Sequence, residues 1–164
     1  MAHDSPPEFA DVSVIVAAYQ AAGTVARTLQ SIAAQTLKPR EAVVVDDGST
    51  DGTAEAAEAE APRMNGIRLR VFRTDDNRGA GAARNRAIAE STEPWLAFLD
   101  ADDEWLPEKL ERTMSHLEGT DRVLAAHDYW TGEGETARHH QCEKRFRGSP
   151  DPFVGLYRKG YIPS

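Results

Sequence analysis

Trp95-Leu96-Ala97-Phe98-Leu99 is an apolar run of strand length that stops abruptly at Asp100-Ala101-Asp102-Asp103-Glu104. A short run that is apolar at every position has no polar face to turn toward water. It therefore reads as a strand buried on both sides, in the middle of a mostly parallel sheet. The carboxylates behind it repel one another, and at a sheet's carboxyl edge they are also partly desolvated, so something positive must offset them. A divalent cation suits the chemistry, because Mg²⁺ and Mn²⁺ take oxygen ligands and commonly share their site with phosphates. The competing account is a solvated acidic turn leading into the next helix, with Pro107 as its first-turn residue.

What the chain repeats elsewhere separates these accounts. Val12-Ser13-Val14-Ile15-Val16-Ala17-Ala18 forms a first buried strand that ends at Tyr19-Gln20. Val25, Leu29, Ile32 and Ala33 then fall at helical spacing, with Pro39 as the stop. Ala42-Val43-Val44-Val45 is a second buried strand that again ends in acids, Asp46-Asp47, and the following Gly48-Ser49-Thr50-Asp51-Gly52-Thr53 caps a helix over Ala54 to Ala61, broken by Pro62. Leu69 and Val71 alternate with arginines, as in a half-exposed strand near an edge. The loop Asp75-Asp76-Asn77-Arg78-Gly79 runs into a helix through Ala89, and Leu110, Met114 and Leu117 mark one face of another. Val123 to Ala126 reads as a further short strand and Asp151 to Tyr157 as a short helix.

Strands alternating with helices imply a three-layer α/β/α sandwich with a Rossmann-like sheet, whose ligands sit beyond the strands' carboxyl ends. Tyr19, Asp46-Asp47 and Asp100-Ala101-Asp102 all fall at that edge, which favours a binding site over a solvated turn. His139-His140-Gln141-Cys142 does not make a metal site by the same reasoning, because adjacent strand residues point to opposite faces.

Charge sets the class of partner. With 27 acids against 19 bases the net charge is −8, which argues against nucleic acid or an anionic membrane as the main partner but not against a small phosphorylated ligand held by a local cation. Cys142 is the only cysteine, so no internal disulfide forms, which fits a cytoplasmic protein. No apolar run reaches the length of a membrane span. Residues 1–10 read as a disordered lead-in and 11–164 as one domain, which stops without a closing element and so looks cut short at its C-terminus.

Four segments in order resemble the family 2 glycosyltransferases of GT-A fold. They are Val12 to Tyr19, Asp46 to Thr53, Asn77-Arg78-Gly79 with Ala83-Arg84-Asn85, and Leu99 to Asp103, with a weaker match at Tyr161 to Ser164. The resemblance implies transfer of a sugar, with inversion, from a nucleotide diphosphate donor (a UDP-sugar above all) to a saccharide or lipid-linked acceptor hydroxyl, with Mg²⁺ or Mn²⁺. It implies a cytoplasmic site that can lie at the inner face of a membrane. Tyr19 would pack against the base, and Asp47 with Asp46 would accept the uracil N–H. Arg84 would lie near the ribose or phosphates. Asp100 and Asp102 match the Asp-x-Asp metal motif: Asp102 would coordinate directly, Asp100 would hold the ribose or a metal-bound water, and Asp103 is the second-choice ligand. Ala17, Gly79 and Ala101 complete the implied nucleotide-binding set. Gln20 stands where the family commonly has Asn, and Ala17 where Pro or Thr is frequent. The general base is expected beyond Ser164, making 11–164 a nucleotide-sugar-binding domain without its acceptor side.

Two other readings fit parts of the chain. Gly79-Ala80-Gly81 before a helix imitates a dinucleotide fingerprint, although Arg84 replaces its third glycine and the preceding loop is long. The missing base also permits a protein that binds nucleotide sugar, or an inactive fragment, without turnover.

Overall fold

The computed structural model describes residues 8–132 and 134–141. The expected lead-in therefore lies outside the described residues up to residue 7, as do Cys142, the helix expected over Asp151 to Tyr157 and the match at Tyr161 to Ser164. The chain divides into two compact units, 1–115 and 116–164.

In the first unit, β1 (Phe9–Ala18), β2 (Lys38–Asp46), β3 (Arg68–Arg73) and β4 (Trp95–Phe98) form one parallel sheet in the order β3-β2-β1-β4. Between and after them come α1 (Val25–Ala33), α2 (Thr53–Glu58), α3 (Ala80–Glu90) and α4 (Lys109–Leu117). Successive strand residues point to opposite faces, and the runs of Val and Ile fill both. Val14, Val16, Ala42 and Val44 share a cluster with Val25, Leu29 and Ile32 of α1 and Ala57 of α2. Ile15, Val43 and Val45 meet Ala83 and Ala87 of α3 on the other side, and Leu110 of α4 joins Ala10 and Val12. Each such fully buried Val, Ile or Leu stabilises the fold by about 1.5–3 kcal/mol, so β1 and β2 carry the core. The result is the α/β/α sandwich expected.

Several expectations change in detail. Among the described residues the Trp95 run stands at the end of the sheet order rather than in its middle: β4 pairs there with β1 alone, and Phe98 is 45% exposed. Apolar content alone could not distinguish an uncovered strand from a central one. β1 begins at Phe9, inside the expected lead-in. β2 starts at Lys38 and contains Pro39, because proline drives the residue before it into extended geometry. Its missing N–H costs nothing there, since β3 pairs with β2 only from Glu41 onward. Val123 to Ala126 is not a strand: these residues are irregular and exposed, with no sheet neighbour among the described residues. No helix among the described residues is long and apolar enough to cross a membrane.

In the second unit, β5 (Tyr129–Thr131) and β6 (Arg138–His140) form an antiparallel pair. His139 stacks on Trp130 and bonds Asp128 at 3.1 Å, whereas His140 stacks on Tyr129 and meets Thr131 Oγ1 at 2.9 Å. The two histidines serve opposite faces, as strand geometry requires.

Glu41 is fully buried in β2. Its carboxylate accepts from Ser13 Oγ at 2.7 Å and the Thr92 amide at 3.0 Å, and pairs with Arg68 and Arg70, each at 3.3 Å. Arg70 also donates to the Glu90 carbonyl and pairs with the Glu90 carboxylate at 3.2 Å, tying the end of α3 to the sheet. Burial alone would push the Glu41 acid up, but the bonds from Ser13, Thr92 and Arg70 and the charge of Arg68 outweigh it and hold it below its ordinary value of 4.5. A carboxyl with a depressed folded pKa stabilises fully above its unfolded pKa and progressively less as pH falls through the folded value. Glu41→Ala should cost about 3 kcal/mol, the lower end for a broken buried pair because both arginines can rehydrate. Urea melts of wild type and Glu41→Ala should converge as pH drops below 4.5. A gap that stays constant with pH would contradict this account.

Gly48 follows β2 at φ +73°, and a Cβ there would lie 2.8 Å from the Asp76 carbonyl carbon and 2.9 Å from the Asn77 nitrogen. Neither backbone atom can swing aside as a side chain could. Gly48→Ala should lower stability by about 1–3 kcal/mol from its backbone angle alone, read in the same melts, and should speed exchange of the 76–79 amides.

Candidate functional site

The site is built from the segments that leave the carboxyl ends of β1, β2 and β4. Tyr19 leaves β1 with its ring 52% exposed. Gln20 adopts φ 51°, a left-handed conformation that Asn tolerates better than Gln; this is the physical content of an Asn preference at that position. Bonds from Gln20 N to Ser49 Oγ (2.9 Å) and from Gln20 Nε2 to Thr50 Oγ1 (3.0 Å) hold it there. The amides of Ala21 and Ala22 donate to Thr53 Oγ1 (2.8 Å) and Asp51 Oδ2 (3.0 Å). Asp51 and Thr53 thus fasten the chain ahead of α1 to the loop after β2, and Asp51 also accepts from the Thr53 amide at the start of α2; neither helix has a side-chain N-cap.

Asp46 and Asp47 have different surroundings. Asp46 is buried; its Oδ1 accepts from the amide and hydroxyl of Ser49, and its Oδ2 has no hydrogen bond, only the Arg73 guanidinium at 3.8 Å. Asp47 Oδ2 accepts from the amides of Arg78 (3.0 Å) and Gly79 (2.7 Å), and its Oδ1 from Thr74 Oγ1 at 3.3 Å. Its charge therefore sits where the helix dipole favours an anion, at the entry to α3. That counts against the dinucleotide reading. A pyrophosphate would need those same amides, and a carboxylate already holds them. A cleft of 370 Å³ opens beside Asp47, walled by Arg73, Thr74, Asp75, Arg78 and Arg86.

At the end of β4, Asp100 Oδ1 pairs with Arg84 of α3 at 2.5 Å. α3 thus touches both strand ends, β2 through Gly79 and β4 through Arg84. Ala101 is buried in the core, so only its backbone can meet a ligand. Ala17 likewise packs beside the α3-facing cluster. The carboxylates of Asp102 and Asp103 form no hydrogen bond or ion pair among the described residues. Desolvation, then the charges of Asp102 and Asp100, raise the Asp103 acid above its ordinary value, with Arg27 opposing.

No three His, Cys, Asp or Glu side chains among the described residues group closely enough to hold an ion by themselves. The donor set is instead two unpaired carboxylates in a turn of excess negative charge. This fits Mg²⁺ or Mn²⁺, which commonly take one or two carboxylates and complete their shell with water and phosphate oxygens. Tyr19, Arg84, Asp100 and Asp102 do not line the cleft beside Asp47; the candidate residues gather along one sheet edge rather than in one enclosed pocket.

Sequence reasoning missed the support beneath the β4 turn. Arg27 Nη2 donates to the Asp102 carbonyl (3.2 Å), and Thr28 Oγ1 lies 3.0 and 2.9 Å from the carbonyls of Ala101 and Asp103. Ser31 Oγ accepts from the Trp105 amide (3.1 Å), and Gln35 bridges the Leu106 carbonyl (2.8 Å) and the Leu110 amide (2.9 Å). The available signal was polar Thr28, Ser31 and Gln35 spaced as one helical stripe beside apolar Val25, Leu29 and Ile32.

Comparison with known proteins agrees with this architecture. The sequence pattern of glycosyl transferase family 2 matches residues 13–162. Over 140 residues the chain is 41% identical to the succinoglycan biosynthesis protein ExoU of Rhizobium meliloti (strain 1021), covering 85% of this chain and 40% of that protein. The chain thus spans about two fifths of that relative's length. Among solved structures, S. aureus TarS 1-349 in complex with UDP-GlcNAc superposes with TM-score 0.60 at 32% identity, covering 65% of this chain and 31% of that one. The mannosyltransferase PcManGT of Pyrobaculum calidifontis, in complex with GDP-Man and Mn²⁺, gives 0.61 at 30% identity, covering 70% and 36%. In sequence and in its GT-A type sandwich, the chain belongs to glycosyl transferase family 2.

Proposed function

We propose that this chain is the donor-binding part of an inverting, metal-assisted glycosyltransferase that takes a nucleotide diphosphate sugar, UDP-linked in the first instance. One observation carries the reading. α3 joins the ends of β2 and β4 through Asp47–Gly79 and Arg84–Asp100, while the carboxylates of Asp102 and Asp103 have no partner among the described residues. The UDP-GlcNAc and GDP-Man–Mn²⁺ complexes of structural neighbours support it.

Tyr19 offers an exposed ring on which a base can stack, worth about 1–3 kcal/mol. Asp47 keeps lone pairs beyond those given to Arg78, Gly79 and Thr74, and these can accept a uracil N–H. Asp100, which pairs with Arg84, would hold the ribose or a metal-bound water. Asp102, with Asp103 second, would hold Mg²⁺ or Mn²⁺. Transfer breaks the bond between the anomeric carbon and the β-phosphate oxygen, whose electron pair leaves with the diphosphate, and forms a bond from that carbon to the acceptor oxygen. The cation supplies Lewis-acid stabilisation of the diphosphate's developing charge. The acceptor's proton goes to a general base, a carboxylate expected beyond Ser164.

Titration calorimetry of the chain with UDP, with and without Mn²⁺, tests the reading. UDP should bind more tightly with Mn²⁺, and Asp102→Asn should weaken that gain by about tenfold or more. Binding of UDP that ignores Mn²⁺ in wild type, or a gain untouched in Asp102→Asn, would sink the metal assignment. Binding of NAD in preference to UDP would return the dinucleotide reading.

A further inference from the structure

The carbonyls of Ala101, Asp102 and Asp103 are three in succession, and adjacent residues of α1 reach them from beneath: Arg27 donates to the middle one, and the outer two share the single hydroxyl proton of Thr28. Thr28 is fully buried, and its one hydroxyl sits between the Ala101 and Asp103 carbonyls at 3.0 and 2.9 Å. Arg27, half exposed, reaches the carbonyl between them at 3.2 Å and pairs with Glu104 at 3.5 Å. The Asp103 amide closes the turn on the Asp100 carbonyl at 3.1 Å. The peptide planes on both sides of the Asp102 Cα are therefore fixed from the protein side, while its side chain leaves on the exposed side.

This arrangement does more than the core requires. A buried threonine at that position of α1 could be valine at no cost in apolar packing; the hydroxyl is there for the turn. Four acids within Asp100 to Glu104 would otherwise relax apart, since like charges in a flexible turn lower their energy by separating. Backbone bonds that no carboxylate takes part in hold the turn while leaving the Asp102 and Asp103 oxygens available. Below it, Ser31 of α1 and Gln35, just beyond the end of that helix, continue the support to Leu110, so α1 and the residues that follow it underlie the irregular segment between β4 and α4.

We propose that Arg27 and Thr28 are positioning residues for the Asp102 carboxylate, setting how strongly a divalent cation couples to diphosphate binding. The inference rests on the donor-site reading given above. It assigns to α1, which contributes no side chain to the ligand, control over metal geometry, as outer residues control the ligands of other metal centres.

The measurement is the ratio of UDP affinity with Mn²⁺ to that without it. Thr28→Val keeps the volume and removes the hydroxyl. It should shrink the ratio by about tenfold or more, the usual range for lost outer support, while metal-free UDP affinity stays within about twofold of wild type because Tyr19 and Asp47 are untouched. Thr28→Ser should restore the ratio. Arg27→Met, at a half-exposed position where folding is not at stake, should shrink it in the same direction. A purely structural role would lower both affinities together, or neither. If wild type shows no Mn²⁺ effect, the donor-site reading falls and takes this inference with it. If wild type responds and both Thr28→Val and Arg27→Met leave the ratio within about twofold, the inference alone is overturned.

Discussion

Parallel strands bring all of their carboxyl ends to one edge, so acids at the strand ends of this chain share a small region and repel. Every part of the site answers that repulsion in a different way. Asp46 is neutralised inside, by Ser49 and the Arg73 charge. Asp47 is neutralised by backbone amides at the entry to α3. Asp100 is neutralised by a single arginine, Arg84. The carboxylates of Asp102 and Asp103 have no hydrogen bond or ion pair among the described residues, and only the charge of Arg27 opposes the mutual repulsion at Asp103. A cation shared with a diphosphate would meet its strongest attraction there.

β2 and the residue after it also fix α3 at both ends, through two carboxylates. Asp47 holds the first amides, where the helix is positive. Glu41, through Arg70 and the Thr92 amide, holds the last turn and the connection into β4. The first contact defines where Gly79 sits and the second where β4 begins. Arg84 then meets Asp100 between two constrained points. The polar network on the amino side, remote from any ligand, thereby contributes to the geometry of the site. Its members are mutually satisfied, whereas the carboxyl edge keeps oxygens without a partner among the described residues.

Much of this was legible in the residues themselves. The runs over Val12–Ala18 and Ala42–Val45 declared buried strands because an all-apolar stretch of that length has nowhere else to go. The arginine-interleaved Leu69 and Val71 declared an edge, and β3 is one. The position of β4 was not legible, because Trp95 to Leu99 is equally apolar whether a neighbour lies on one side or two. Val123 to Ala126 failed for a related reason: a strand is a pairing, and composition cannot supply the partner. Pro39 was read as a stop, yet it sits in a strand whose neighbour begins two residues later.

By itself the sequence determined that acids would stand at the ends of apolar strands. The reason is local: apolar runs set the strands, and the residue after each run is placed by chain continuity. Only the tertiary structure decided which carboxylates stay available. Asp47 spends one oxygen on α3, Asp100 is taken by Arg84, and the Asp102 turn is held through its carbonyls by Arg27 and Thr28. Those partners lie tens of residues away along the chain, and hydrogen bonds over such separations exist only after the sheet has brought α1, α3 and the strand ends together.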